Sequence, residues 1–296
     1  MAVKQNTTKV ANITATPREI DFVSRFQNRW DGLREMLGIS NPVRKEAGSN
    51  VFVKKATITL ESGAVAEGDE IPYSLASVTE TPLGTISIDK YAKGVSLEAI
   101  NQYGYDTAIE KTDDAFLTEL QASVLAKFYA FVSAADDLTG TDASFQLALA
   151  MAKGSVENKF RSIHKGINGV VAFVNYLDFY TYLGTASITV QNQFGMDYVE
   201  NFMGYRAIFL CASTEIAQGK VIATPVDNLI LYYVDPSDSA FARAGLSYTT
   251  AGGETNLIGF HTNGNYNHAV SESFAIMGMI LAAEYEDGIA VRTISA

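Results

Sequence analysis

The chain is poor in the residues that build the commonest chemical sites. It has one cysteine, three histidines and one tryptophan in 296 residues. One cysteine excludes a disulfide framework and any site that needs several thiolates. Cys211 sits in the apolar run Ala207-Ile208-Phe209-Leu210-Cys211, where a buried structural thiol is expected. Six prolines exclude a proline-rich stalk. Charged residues make up 19%, below the usual quarter, while hydrophobic residues reach 47%. That balance excludes a disordered chain. Long apolar runs are also missing. The longest, around Ala275 to Ala283, is about nine residues, against the ~20 that span a bilayer. Residues 1–12 are polar and have no apolar h-region, so no secretory signal is expected and the sequons at Asn6 and Asn12 carry little weight. A reducing cytoplasm fits these features.

Catalytic signatures are lacking as well. There is no G-x-S-x-G elbow, no G-x-x-x-x-G-K-[ST] loop and no strand-embedded G-x-G-x-x-G. His164 lies between basic residues and glycine, as a surface histidine would. His261 and His268 are seven apart, which matches neither a helical pair nor zinc-finger spacing. The acidic pairs Asp113-Asp114, Asp136-Asp137 and Glu284/Glu286 read as solvated helix-end charge, because adjacent side chains on a helix diverge. Asp235 and Asp238 around Pro236 resemble no calcium loop. No catalytic, cofactor-binding or metal-binding residue is therefore expected. The 16 phenylalanines and 15 tyrosines suit core packing and protein contact.

What is present is uneven charge. The net charge is −11, but residues 1–55 hold ten Lys/Arg against five Asp/Glu, or +5. The remainder has 12 basic and 28 acidic residues, or −16. A basic arm on an acidic body suits contact with nucleic acid, an acidic partner or the acidic body of another copy, or else a solvated arm.

Along the chain, Thr16-Pro17-Arg18-Glu19 forms a capping box with proline at the first helical position. Ile20, Val23, Phe26, Trp30, Leu33 and Leu37 follow at helical spacing, and Gly38 and Pro42 end the helix. Arg18, Arg25 and Arg29 share a separate stripe. Two alternating legs come next, Val51 to Leu60 and Thr85 to Leu97. Between them lies Glu61 to Gly84, rich in Gly, Pro, Ser and Thr, and the wider stretch Ala56 to Asp89 contains six acids and no Lys or Arg. So long a connection fits an extended arm ordered by a partner better than a plain hairpin. Thr107-Ala108-Ile109-Glu110 predicts the start of a long helix to about Ala135, closed by 136–140. A mixed α/β pattern follows. It has helices at 145–160 and 176–183, strands at 170–174, 207–211 and 229–234, a turn at 235–238, and strand-like runs at 273–283 and 289–291.

This order resembles the major capsid protein of tailed bacteriophages, the Hong Kong 97 fold. The resemblance is carried by Glu67-Gly68-Asp69-Glu70-Ile71-Pro72 near the loop tip, by the return Lys90-Tyr91-Ala92-Lys93-Gly94-Val95-Ser96-Leu97-Glu98, and by the long helix behind it. It implies an α+β capsid fold with an N-arm at 1–48 and an extended E-loop at 49–95. The P-domain would take 96–140 plus 256–296, with its spine helix at about 107–135, and the A-domain 141–255. It further implies self-assembly through pentamers and hexamers into an icosahedral head around double-stranded DNA, bound without sequence specificity. Partners would be a separate scaffolding protein, since few residues precede the first helix, a portal protein and a decoration protein. Neither an enzyme, a cofactor nor a membrane enters this reading. The virion, assembled in the bacterial cytoplasm, would be its location. An encapsulin-like shell is the alternative, with an unrecognised hydrolase or sugar-binding protein behind it. The stretch from Ala56 to Asp89 has no lysine for the cross-link that some relatives make. Expected inter-subunit contacts are Glu67, Asp69, Glu70, Ile71, Pro72 and Tyr73 in the E-loop, and Arg18, Arg25, Arg29 and Trp30 in the N-arm.

Overall fold

The computed structural model describes residues 17–28, 38–184, 191–193, 196–199, 202–250 and 255–295. The chain opens with helix α1 (Pro17–Asn28), and its Phe22, Val23 and Phe26 are buried as the spacing predicts. Strand β1 (Ser40–Lys45) follows. A two-stranded ribbon comes next, β2 (Asn50–Thr59) with β3 (Leu75–Thr85). β4 (Asp89–Ser96) leads into the short helix α2 (Leu97–Tyr103), whose N-cap Ser96 accepts a hydrogen bond from the Ala99 amide. A π-turn at Asp106–Glu110 runs into the long helix α3 (Lys111–Ser133). The capping box expected at 107–110 is therefore not a cap. The chain is already helical at Tyr105, so no side chain is needed there.

The second half supplies β5 (Leu138–Asp142), helix α4 (Phe145–Ser162), β6 (Val170–Asn175) and helix α5 (Tyr176–Leu183). The segment expected to close the long helix is thus partly strand, because β5 pairs with the last strand of the chain. Asn175 caps α5 as its position suggests, accepting from the Leu177 amide at 2.8 Å. Strands β7 (Gln191–Gln193), β8 (Met196–Val199), β9 (Ala207–Cys211), β10 (Lys220–Pro225) and β11 (Leu229–Val234) follow. After α6 (Ser239–Arg243) the chain returns as β12 (Ile258–Asn265), β13 (Val270–Met277), β14 (Met279–Ala283) and β15 (Ala290–Ile294). The single apolar run expected at 273–283 is split by Gly278 between two sheets. A Cβ there would sit 3.0–3.2 Å from Val234 and the Ser87 carbonyl, so any larger residue would push its neighbours by a few tenths of an ångström at the crossing.

A seven-stranded sheet runs β5-β15-β10-β6-β9-β8-β7. Its central strand β6 is buried along its whole length. Val171 and Phe173 face one core, shared with α1, α3 and strands β11 to β14. Val170, Ala172 and Val174 face a second core under α4 and α5. Burial on both faces is why this strand reads as a continuous apolar run. Two three-stranded sheets, β1-β11-β14 and β12-β13-β4, share the first core with the long helix. Residues 256–296 therefore serve three sheets, and β15 is woven between β5 and β10.

Gly288 lies against this second core. A methyl group on it would meet the Phe160 ring at 2.4 Å, and Phe160 is buried and packed edge-on against Tyr285. Gly288→Ala is expected to cost about 1–3 kcal/mol by overpacking, measured as a lower melting temperature. An unchanged melt would show that the ring can yield.

Candidate assembly surfaces

The ribbon is anchored at its base and bare along its length. Val51 and Ile86 pack with Val234, Phe241 and Ile276 in a small third core. The amide of Gly48 donates to the Ile86 carbonyl, and the Ile86 amide donates to Ser49. Lys55 reaches Asp287 at 3.5 Å, and Asp287 also takes Lys159 at 2.7 Å. Beyond this, every residue from Ala56 to Pro82 is exposed. The return strand begins at Leu75, ten residues before the leg legible in the sequence. Its Leu-Ala-Ser-Val-Thr-Glu-Thr-Pro-Leu-Gly-Thr stretch is wholly solvent-facing apart from Leu83, so burial imposed no alternation on it.

The tip carries the expected contact residues. Glu67, Asp69, Glu70, Ile71, Pro72 and Tyr73 all lie there and are exposed. Tyr73 is 93% and Ile71 70% open to solvent. A turn at Glu67-Gly68 reverses the chain, with the Asp69 amide donating to the Ala66 carbonyl and Gly68 at φ +90°.

The arm arginines are placed differently. Arg18 grips Asp113 through two hydrogen bonds, Nε to Oδ2 at 2.6 Å and Nη2 to Oδ1 at 2.8 Å. It also donates to Ser273 at 2.8 Å. Lys93 binds the same Asp113 carboxylate and donates to Thr112. Arg25 pairs with Asp21 at 2.8 Å and with Asp114. The basic arm thus meets the acidic body of its own chain. Asp113, read from the sequence as solvated helix-end charge, is instead 2% exposed between two cations. Helix periodicity alone could not reveal this, because the arm approaches from 95 residues away. Arg29 and Trp30 lie outside the described residues.

Glu19 completes the latch. It is buried and accepts hydrogen bonds from Thr249 Oγ1 at 2.7 Å, from the Thr262 amide at 2.6 Å and from Thr262 Oγ1 at 2.7 Å, with His261 Nδ1 at 3.6 Å. Phe22 stacks on Phe260 with ring centres 3.8 Å apart. Burial alone would raise both carboxyls. Hydrogen bonds from Arg18 and Lys93 hold Asp113 below its ordinary value, and those from Thr249 and Thr262 do the same for Glu19. Depressed carboxyls contribute stability above their unfolded pKa and lose it as pH falls through the folded one. The docking of α1 is therefore expected to persist through the ordinary carboxylate range and fail only below it. Proteolysis of the arm across an acid pH series checks this. Release already near neutral pH would assign the latch to another group.

An open groove of about 710 Å³ lies beside the latch, lined mostly by Gly94, Val95, Ala99, Tyr103, Ala108 and Val270. Cys211 is fully buried, and burial pushes its thiol up to about 12. Among the described residues, no group of three or more His, Cys, Asp or Glu is gathered to hold a metal. His164 and His268 stand apart from any acid cluster, in a turn after α4 and in the β12–β13 turn.

No protein-family model matches the chain, and no curated protein matches it. Solved structures do. The asymmetric unit of the bacteriophage PhiM1 mature capsid is similar with a TM-score of 0.57 and 9% identity, over 100% of this chain and 92% of that one. A virus-like particle from Pyrococcus furiosus gives 0.55 and 12%, over 94% and 100%. The holo-SrpI encapsulin complex from Synechococcus elongatus gives 0.53 and 12%, over 99% and 96%. The anchored ribbon, the long helix behind it and the near-complete overlap with capsid and encapsulin chains establish that this chain has the Hong Kong 97-like capsid fold.

Proposed function

We propose that the protein is a structural shell subunit, the major capsid protein of a tailed bacteriophage, which assembles through hexamers and pentamers into an icosahedral head. The observation that carries this is the ribbon. An isolated two-stranded ribbon is marginal in water, and this one leaves its flanks and tip uncovered. Its open edges and apolar side chains need neighbours. The role is architectural rather than enzymatic, and the enclosed cargo is double-stranded DNA. An acidic body suits a wall that must not grip phosphates. A separate scaffolding protein, a portal protein and a decoration protein complete the proposed partners, with assembly in the bacterial cytoplasm. The proposed units are the N-arm (1–48), the E-loop (49–95), the P-domain (96–140 and 256–296) and the A-domain (141–255).

The encapsulin likeness supports a second reading, a protein-filled shell. Electron microscopy and gel filtration of the purified protein test both. Capsomers or closed particles are the expected result, and a stable 32 kDa monomer would overturn it. Nucleic acid inside the particles supports the phage reading, and protein cargo supports the second.

A further inference from the structure

The first turn of α1 adjoins the open groove. Arg18 binds Asp113, next to the groove residue Thr112, and Lys93 donates to both. Arg18 Nη1 also donates to Ser271 Oγ at 3.5 Å, beside the groove residue Val270. Arg18 further lies within electrostatic reach of Tyr105, at the head of the π-turn that carries Thr107 and Ala108 into the groove wall. Three of the elements that line the groove therefore meet at this one side chain. Pro17 directly precedes it, so residues 1–16, which lie outside the described residues, join α1 at the groove's rim.

The groove suits an extended, weakly basic segment. Val95, Ala99, Ala108 and Val270 make its wall apolar, and its volume of about 710 Å³ is that of a ligand pocket. β4, which supplies Gly94 to Ser96, pairs only with β13 among the described strands, and an edge strand can take a further one. Glu98, Asp106 and Glu110 are exposed on α2 and the π-turn, against one nearby base, Lys111. Turns of the π type recur at functional sites. Residues 1–16 match these properties. Thr7, Thr8, Val10, Ile13 and Thr14 are β-branched, as strands prefer. Lys4 and Lys9 are the only charged side chains before Arg18. In a strand, Ala11, Ile13 and Ala15 share one face, and Asn12 and Thr14 take the other. Ile13 stands four residues before Pro17, a reach of about 13 Å.

We propose that the groove is the seat of the chain's own N-terminal segment, with Ala11, Ile13 and Ala15 on its apolar wall and Lys9 toward its acidic rim. The tether at Pro17 selects this occupant. A segment held by a short link acts at a millimolar effective concentration, which a free peptide must outcompete. Docked there, the segment fastens the free end of α1 and adds a second hold beside the Arg18–Asp113 pair. The inference concerns a single chain and stands whether or not shells form.

The test measures tryptic cleavage after Lys9 in three full-chain variants. Ile13→Asp puts a charge on the groove-facing side and Asn12→Asp puts the same charge on the other. Ala99→Trp fills the groove itself. Ile13→Asp and Ala99→Trp are expected to speed cleavage at least tenfold, and Asn12→Asp to stay within twofold of the parent. Equal rates for the two aspartate variants would overturn the proposal. So would an effect of Ile13→Asp that Ala99→Trp does not share, which would seat the segment elsewhere. A parent cleaved as fast as Ile13→Asp would leave the groove to a different protein and overturn it too. Ile13→Cys combined with Ala99→Cys provides a second readout, because native Cys211 is buried. A disulfide within one chain is the expected product. A disulfide between chains would give the groove to another copy and overturn the proposal.

Discussion

Asp113→Ala is expected to cost about 3 kcal/mol of folding stability, and to free the arm before the rest of the chain unfolds. Removing this carboxylate leaves Arg18 and Lys93 facing each other, with side chains only 18% and 16% exposed. Cations held so close repel, and neither can swing fully into water. Removing one member of a buried charge cluster typically costs about 3–5 kcal/mol. The residual exposure places this site at the lower end. Arg18→Ala should cost less, because Lys93 still neutralises Asp113. Asp114→Ala should stay within about 1 kcal/mol, since Asp114 is 51% exposed. Urea denaturation measures all three, and limited proteolysis at 17–28 reports the arm. A loss below about 1 kcal/mol for Asp113→Ala would mean that Phe22 and its neighbours alone dock the helix.

Shortening the ribbon should have the opposite signature, with no loss of fold and complete loss of shells. Thr59 and Leu75 are the last cross-strand pair. Replacing 60–74 by Asn-Gly joins them through a two-residue turn of the preferred hand. None of the deleted residues is buried, so the melting temperature should move by only a few degrees. Particle formation should vanish, because the acidic tip with Ile71 and Tyr73 is gone. Normal particles from this variant would remove the tip from the contact. A collapsed fold would show that the tip supports the base.

Much of this architecture is legible in the residues. Phe22, Val23 and Phe26 mark one face of α1, and Asn175 announces α5. Val170 to Val174, Ala207 to Cys211 and Leu229 to Val234 are apolar because they are interior strands, and they form where the pattern places them. Strand β10 and most of β3 were not legible. Lys-Val-Ile-Ala-Thr-Pro ends in a proline, a signal against a central strand, yet it sits between β15 and β6. Leu75 to Thr85 lacks any buried face from which a period could arise. The exposed acidic loop was legible through its charge run. The roles of Arg18 and Arg25 were not, because a stripe of arginines records a need for acids without saying whose.

The sequence by itself pointed to the fold. Its missing cysteines and motifs set aside the common chemistries. Its split charge and its long acidic loop called for contact beyond a compact core. Local patterns carried that much because capping, periodicity and turn chemistry act within a few residues. Only the tertiary structure decided where the charges went and which way the ribbon faced. Arg18 and Asp113 are 95 residues apart, and the direction of a strand's apolar face is set by the body it leaves. Period-two alternation gives two faces but does not say which one looks home. Here the face of Val53 and Lys55 does, as the buried Val53 and the Lys55–Asp287 contact show.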